Sequence, residues 1–245
     1  MVNFLAPGRL GEIARPYLLA RREGFSASGA FATILLERMF DLVTVVLFVA
    51  FSLLAGPKRA GNEGMVSSLK LGGVLGLAFA AVALTSMFLL ARHPEPSMAF
   101  ARWFLRALPQ RIASRVSRFL DTFRGGLGVL VHPAGLLRAS LMSILLWLAI
   151  CVSFSLVAGA FGVKFVFLDS FLVIGFLTVG VAVPTPGAIG GYHYMCSLAL
   201  TTLFGVTTSL AAAVALVAHA ISFLPVTILG ILLFVKAGLT FSQLK

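Results

Sequence analysis

Apolar residues in this chain come in long blocks, and the polar residues gather between them. Residues 30–54, 69–91, 136–161 and 207–235 are each nearly continuous apolar runs, the last broken by Pro225. A helix that crosses the hydrocarbon core needs about 20 mainly apolar residues, so each run is long enough to cross alone. Two further runs, 168–183 and 194–204, are short and flank the stretch PTPGAIGGYHYM at 184–195. The pattern predicts an all-α, polytopic helical membrane protein with about five to seven membrane helices. It forms a single integral membrane domain over 1–245.

Residues 92–135 follow a different rule. Phe100, Trp103, Phe104, Leu108, Ile112, Val116, Phe119, Phe123 and Leu127 recur at steps of about three and four. Arg102, Arg106, Arg111, Arg115 and Arg118 fall mostly between them. This is an amphipathic helical segment with a basic face, and Pro109 suits the first turn of its second helix. Such a segment lies in the membrane interface, apolar side down, with its arginines among phosphates. A solvated helix packed on the membrane domain is the alternative.

Composition supports the membrane class. Charged residues are 11% of 245 and hydrophobic residues 60%, whereas a soluble domain carries roughly a quarter charged residues. The net charge of +11 is concentrated in the segments between runs. Residues 91–139 hold eight arginines against Glu95 and Asp121, which places this segment in the cytoplasm by the positive-inside rule. Counting spans puts both termini in the cytoplasm of a multi-pass inner-membrane protein, although 55–70 then faces outward with a mild basic excess. Basic residues that flank spans answer to anionic headgroups rather than to nucleic acid. The opening residues lack the apolar core and cleavage site of a signal peptide. Cys151 and Cys196 sit in apolar helical sequence and read as small core residues. The four histidines, 93, 132, 193 and 219, show no metal spacing, and no nucleotide-binding or hydrolase motif occurs. The expectation is therefore a protein that is not an enzyme and has no cofactor or metal.

Three polar clusters stand out. Glu37, Arg38 and Asp41 fall inside the first apolar run, where each ionisable group costs roughly 2.5–3.5 kcal/mol to insert. They read either as a structural ion pair or as the polar lining of a headgroup path. All three are expected on one side of the helix, facing the protein interior, with Arg38 close to a carboxylate. In PGRLGEIARPYLL, Arg9, Glu12 and Arg15 share one helical face. Two guanidinium groups there suit a phosphate, and a juxtamembrane basic stop is the alternative. The third cluster is PTPGAIGGYHYM. Pro184 and Pro186 remove donors, while Gly187, Gly190 and Gly191 free the backbone.

At 1.5 Å per residue the flanking runs reach about 24 Å and about 17 Å, against a core of about 30 Å. The economical arrangement is a re-entrant helical hairpin with 184–191 at its tip; two short crossings are the alternative. An irregular backbone at membrane depth is tolerated only against protein or a watery cavity. The helix after Gly191 would offer the amides of Gly190 and Gly191 to a headgroup phosphate. His193 would serve as proton carrier or phosphate donor, or would simply be hydrogen-bonded. Arg9, Arg15 or Arg38 is expected to approach this tip.

The stretches NFLAPGRLGEIARPYLL, ATILLERMFDLV and PTPGAIGGYHYM together resemble the flippase-like family of the lysylphosphatidylglycerol synthase transmembrane region. The resemblance runs over essentially the whole chain. Pro7, Arg9, Gly11, Glu12 and Arg15 match the family's first motif, and Glu37, Arg38 and Asp41 match its ER..D. Pro186, Gly187, Ile189 and Gly190 match its glycine-rich motif, with Ala188 in place of a usual Gly. His193 stands where many members carry Glu, which puts any role of that acid in doubt. Members have about two spans, each of about 20 residues, ahead of the first motif. The resemblance thus implies a chain shortened at its amino end or read from a downstream methionine. It also implies binding or translocation of an anionic membrane lipid or lipid-linked carrier. The alternatives are a lipid-modifying membrane enzyme using Glu37 and Asp41, or a non-catalytic subunit of a lipid or envelope synthase. Membrane lipids are the expected partners, with homo-oligomers or an envelope-synthesis partner left open.

Overall fold

The computed structural model describes residues 26–55, 63–106, 108–164 and 166–236, and helices are the only regular elements among them. They are α1 (Ala27–Ala55), α2 (Glu63–Arg92), α3 (Pro94–Leu105), α4 (Gln110–Gly125), α5 (Pro133–Ala160), α6 (Phe167–Ala182), α7 (Gly191–Phe204) and α8 (Thr208–Lys236). Short 3₁₀ turns cover Gly128–Val131 and Pro186–Ala188. Segments Lys70–Arg92, Pro133–Ala160 and Thr208–Leu232 are long and apolar enough to cross a membrane. α1 is as long, 29 residues, but carries Glu37, Arg38 and Asp41 in its first half. The all-α membrane class is thus borne out. Helix α2 runs Glu63–Arg92, and its apolar part Lys70–Arg92 agrees with the expected span 69–91.

The described residues fall into two compact units. One contains 45–55, 63–73 and 147–236. Its centre is α6, which is apolar all round and buries Phe171–Ile174, Phe176 and Leu177. A helix without a polar face must be enclosed by others. α1 closes on it at Gly175, where an added Cβ would lie 2.6 Å from Val49, and Phe48 stacks on Phe171 at 4.4 Å. Ser52 Oγ donates to the Leu168 carbonyl at 2.7 Å, and Asp169 accepts from the Val166 amide at 3.0 Å. Both bonds satisfy backbone groups at the start of α6. Cys151 and Cys196 are fully buried in this core, as their apolar setting implies.

Helices α6 and α7 form a hairpin. They have 16 and 14 residues, about 24 Å and about 21 Å of helix. α7 starts at Gly191, with Gly190 as its N-cap, which agrees with the expected helix start at this glycine pair. The two helices meet backbone to backbone. A Cβ on Gly180 would lie 2.4 Å from the Gly191 carbonyl oxygen, and one on Gly191 would lie 2.3 Å from that of Gly180. α8 runs on through Pro225 as one helix, so the proline removes a donor without ending it.

The other unit contains 26–44 and 74–146. Its core joins Ala32, Leu36 and Met39 of α1 with Met87 of α2 and Phe123, Leu127 and Leu130. The expected amphipathic segment is two helices, and Pro109 directly precedes the second. Its stripe divides. Phe123 and Leu127 are buried, whereas Phe100, Trp103 and Phe104 form an exposed cluster with ring centroids 4.8–6.4 Å apart.

Gly180→Ala should lower the apparent melting temperature in detergent, equivalent to about 1–3 kcal/mol, because the facing carbonyl cannot move aside cheaply. Gly72→Ala in α2, where an added Cβ meets nothing within 4 Å, should leave it unchanged or raise it.

Candidate functional site

The break between α6 and α7 is built from residues that cannot continue a helix. Val183 turns extended (φ −66°, ψ 122°), and Pro184 and Pro186 follow. The backbone then bonds locally. Ala188 N–H donates to the Thr185 carbonyl at 3.1 Å, and Ile189 N–H to that of Pro186 at 3.1 Å. Three residues are left-handed: Gly187 (φ 58°), Ala188 (φ 58°) and Gly190 (φ 90°). Gly187 and Gly190 adopt this freely. At Ala188 the Cβ meets the following carbonyl, and the strain is of the order of 1 kcal/mol. Gly187 and Ala188 are buried.

Two histidines hold the break. His219, on α8, lies with Nε2 2.8 Å from the Gly187 carbonyl oxygen. A carbonyl only accepts, so His219 carries a proton on Nε2. His193, third residue of α7, accepts the Gly190 amide on Nδ1 at 3.4 Å. This is the place from which Glu or Gln caps a helix start, so a glutamate there would make the same bond. The ring centroids of His193 and His219 are 4.6 Å apart, and Tyr192 and Phe223 flank His219 at 5.0 and 4.3 Å. The expectation that the Gly190 amide opens toward a headgroup is corrected here: His193 occupies it.

The second group of candidates belongs to the other unit. A cavity of about 270 Å³ is lined by Thr33, Glu37, Phe40, Asp41, Met142 and Ser143, among others. Asp41 is buried. Ser143 Oγ donates to its Oδ1 at 2.8 Å. That uses the serine's one proton, so Thr44 donates to Ser143 across 3.1 Å. Arg38 Nη1 lies 3.6 Å from Asp41 Oδ2, with its side chain 49% exposed, which matches the expected pairing. The expectation that all three ionisable residues face inward is corrected, since Glu37 and Arg38 are exposed positions. Consecutive helical residues point about 100° apart, so one face cannot hold both. The cavity keeps the two carboxylates and leaves the guanidinium to one side.

Arg9, Glu12 and Arg15 lie outside the described residues. Pro186, Gly187, Gly190, Gly191 and His193 are brought together at the break, and Glu37 and Asp41 at the cavity. The expected approach of an arginine to the break named Arg9 and Arg15, which are not described, and Arg38, which belongs to the other unit. Sequence reasoning missed His219 and Ser143. His219 did carry a signal, as an ionisable residue inside the apolar run 207–235. Ser143 carried none. Among the described residues no group of three or more His, Cys, Asp or Glu could hold a metal ion.

A family model described as the lysylphosphatidylglycerol synthase TM region matches residues 1–230. The chain is 26% identical to glycosyltransferase AglD of Haloferax volcanii over 93% of its own length and 40% of that protein. It is 31% identical to UPF0104 membrane protein MJ1078 of Methanocaldococcus jannaschii, over 30% of this chain and 32% of that one. The chain thus covers less than half of each of these relatives. No solved structure matches it.

Ala188→Gly should relieve the left-handed strain. Less the added freedom of glycine in the unfolded chain, the gain is about 0.5 kcal/mol. It should appear as a raised melting temperature in detergent; a fall would contradict the backbone geometry at this position.

Proposed function

Because the chain belongs to the family of the lysylphosphatidylglycerol synthase transmembrane region, we propose that it is a flippase-like membrane protein. It binds or moves an anionic lipid, or a lipid-linked carrier, across the inner membrane. The observation that carries this reading is the interrupted hairpin. Two helices of about 24 Å and about 21 Å, each short of a core of about 30 Å, meet at a backbone with three left-handed residues, and His219 of α8 bonds it at Gly187. Such breaks persist in a bilayer only against protein or a watery cavity, and transporters bind substrates at them. In this reading the hairpin is re-entrant, and the arginines of 92–135 lie in the cytoplasmic interface with both termini on the same side. The exposed Phe100–Trp103–Phe104 cluster suits that placement.

A second reading is favoured by one specific observation. Glu37 and Asp41 line one cavity, which is what a membrane enzyme using paired carboxylates on a lipid would need. That a relative is named a glycosyltransferase fits a lipid-linked substrate equally well under either reading.

Reconstitution in liposomes with labelled lipids separates the readings. Movement of lipid between leaflets supports the flippase, chemical turnover the enzyme, and neither result a scaffold. Asp41→Ala should lower abundance, since it leaves the buried Ser143–Thr44 pair without its acceptor at a cost of about 1–3 kcal/mol. Arg38→Ala removes a half-exposed pair worth about 1 kcal/mol or less. It should keep the protein abundant while abolishing lipid movement; an abundant and fully active variant would remove Arg38 from the path.

The orientation is tested by placing a single reactive cysteine at Arg115 in the variant lacking Cys151 and Cys196. Membrane-impermeant reagent should label it only after the cells are opened. Efficient labelling of intact cells would reverse the topology.

A further inference from the structure

We propose that His193 and His219 form a proton-binding site that unlocks the hairpin break, so that a proton is the ion that governs lipid movement. The link to lipid rests on the function proposed above; the proton site itself does not.

The hydrogen bonds fix where a proton can go. Nδ1 of His193 accepts the Gly190 amide, so the neutral ring carries its proton on Nε2. A second proton on this ring must go to Nδ1. That turns the acceptor into a donor facing another donor, and the cap on α7 is lost. His219 spends its Nε2 proton on the Gly187 carbonyl and is left with Nδ1 as its only basic atom. With the centroids 4.6 Å apart, two imidazolium rings would repel.

Among the described residues, the helices that meet at the break bring no carboxylate to it. Helix α7 contributes Tyr192, Tyr194 and Cys196, and α8 contributes His219 and, at its far end, Lys236. Asp169, the one acidic residue of α6, is at the opposite end of that helix, where it accepts the Val166 amide. Where α1 and α5 join this core, their one titratable side chain is Cys151. Among these described groups, a charged His193 is met by a change at the break itself.

That change is available. Gly187, Ala188 and Gly190 are held left-handed, and the two histidine bonds anchor the segment at Gly187 and Gly190. When the cap is lost, the Gly190 amide is freed at the start of a 14-residue helix. The strain at Ala188 then favours rearrangement. Acidification converts a self-capped break into an open one, and deprotonation closes it.

The test uses the full chain in liposomes with ¹⁵N-labelled histidine and glycine. Solid-state NMR follows it from about pH 8 to about pH 5, which brackets the ordinary histidine value of about 6.5. His193→Gln and His219→Gln assign the signals, and the glutamine of His193→Gln can keep the cap without titrating. We expect both histidines to carry Nε2–H at high pH. His193 Nδ1 should then gain a proton with the same midpoint at which the Gly190 amide signal moves. The opposite tautomer on His193 or a Gly190 signal that ignores the titration would each overturn the site. Lipid movement should change several-fold over the same range in the wild type and stay level in His193→Gln. An intact NMR transition with no lipid movement at any pH would sink the lipid reading and leave the proton site standing. Lipid movement whose pH dependence survives His193→Gln would overturn the proton as its governing ion.

Discussion

A backbone amide or carbonyl surrounded by apolar side chains must find a partner inside the protein, and the structure is organised around that demand. Along α1, α2, α5 and α8 the helix itself answers it. Between α6 and α7 it does not, because Pro184 and Pro186 lack donors and the chain turns back. The replacements are specific. Two local bonds close the 3₁₀ turn at Pro186–Ala188, His219 takes the Gly187 carbonyl, and His193 takes the Gly190 amide. The turn also requires the helices to approach at Gly180 and Gly191, where neither position has room for a Cβ.

The same demand explains the polar side chains elsewhere. Ser52 and Asp169 satisfy backbone groups at the start of α6. Asp41 is buried because Ser143 and Thr44 form a chain of hydroxyls that ends on its carboxylate. The cavity beside it therefore presents carboxylates and hydroxyls set in an apolar wall. The hairpin break presents left-handed backbone and two imidazoles. These are different chemistries, and each belongs to its own compact unit. Among its described residues, this member of the family thus has an acidic, hydroxyl-bearing cavity and a backbone break bonded by two imidazoles.

Much of this is written linearly in the chain. Block lengths identify α1, α2, α5 and α8 because crossing a bilayer is a matter of consecutive apolar residues. The two short runs and the prolines and glycines between them mark the hairpin, since those residues restrict or free the backbone whatever surrounds them. The arginines and aromatics of 92–135 announce two amphipathic helices for the same reason. Glu37, Arg38 and Asp41 are conspicuous because ionisable groups are rare in such runs.

What spacing cannot supply is the partner. It shows that Arg38 and Asp41 are neighbours on one helix, but not that a serine 102 residues on would bury one of them and leave the other exposed. It points to His193 as a residue at a helix start, but not to a histidine on another helix 4.6 Å away. It exposes Ala188 as a departure from a glycine, while only the folded backbone shows the left-handed angle that makes the departure matter. Local order and class follow from the preferences of single residues and their nearest neighbours along the chain, and these the sequence determined. Protonation state, cavity lining and strain depend on which side chains meet across helices, and only the tertiary structure decided them.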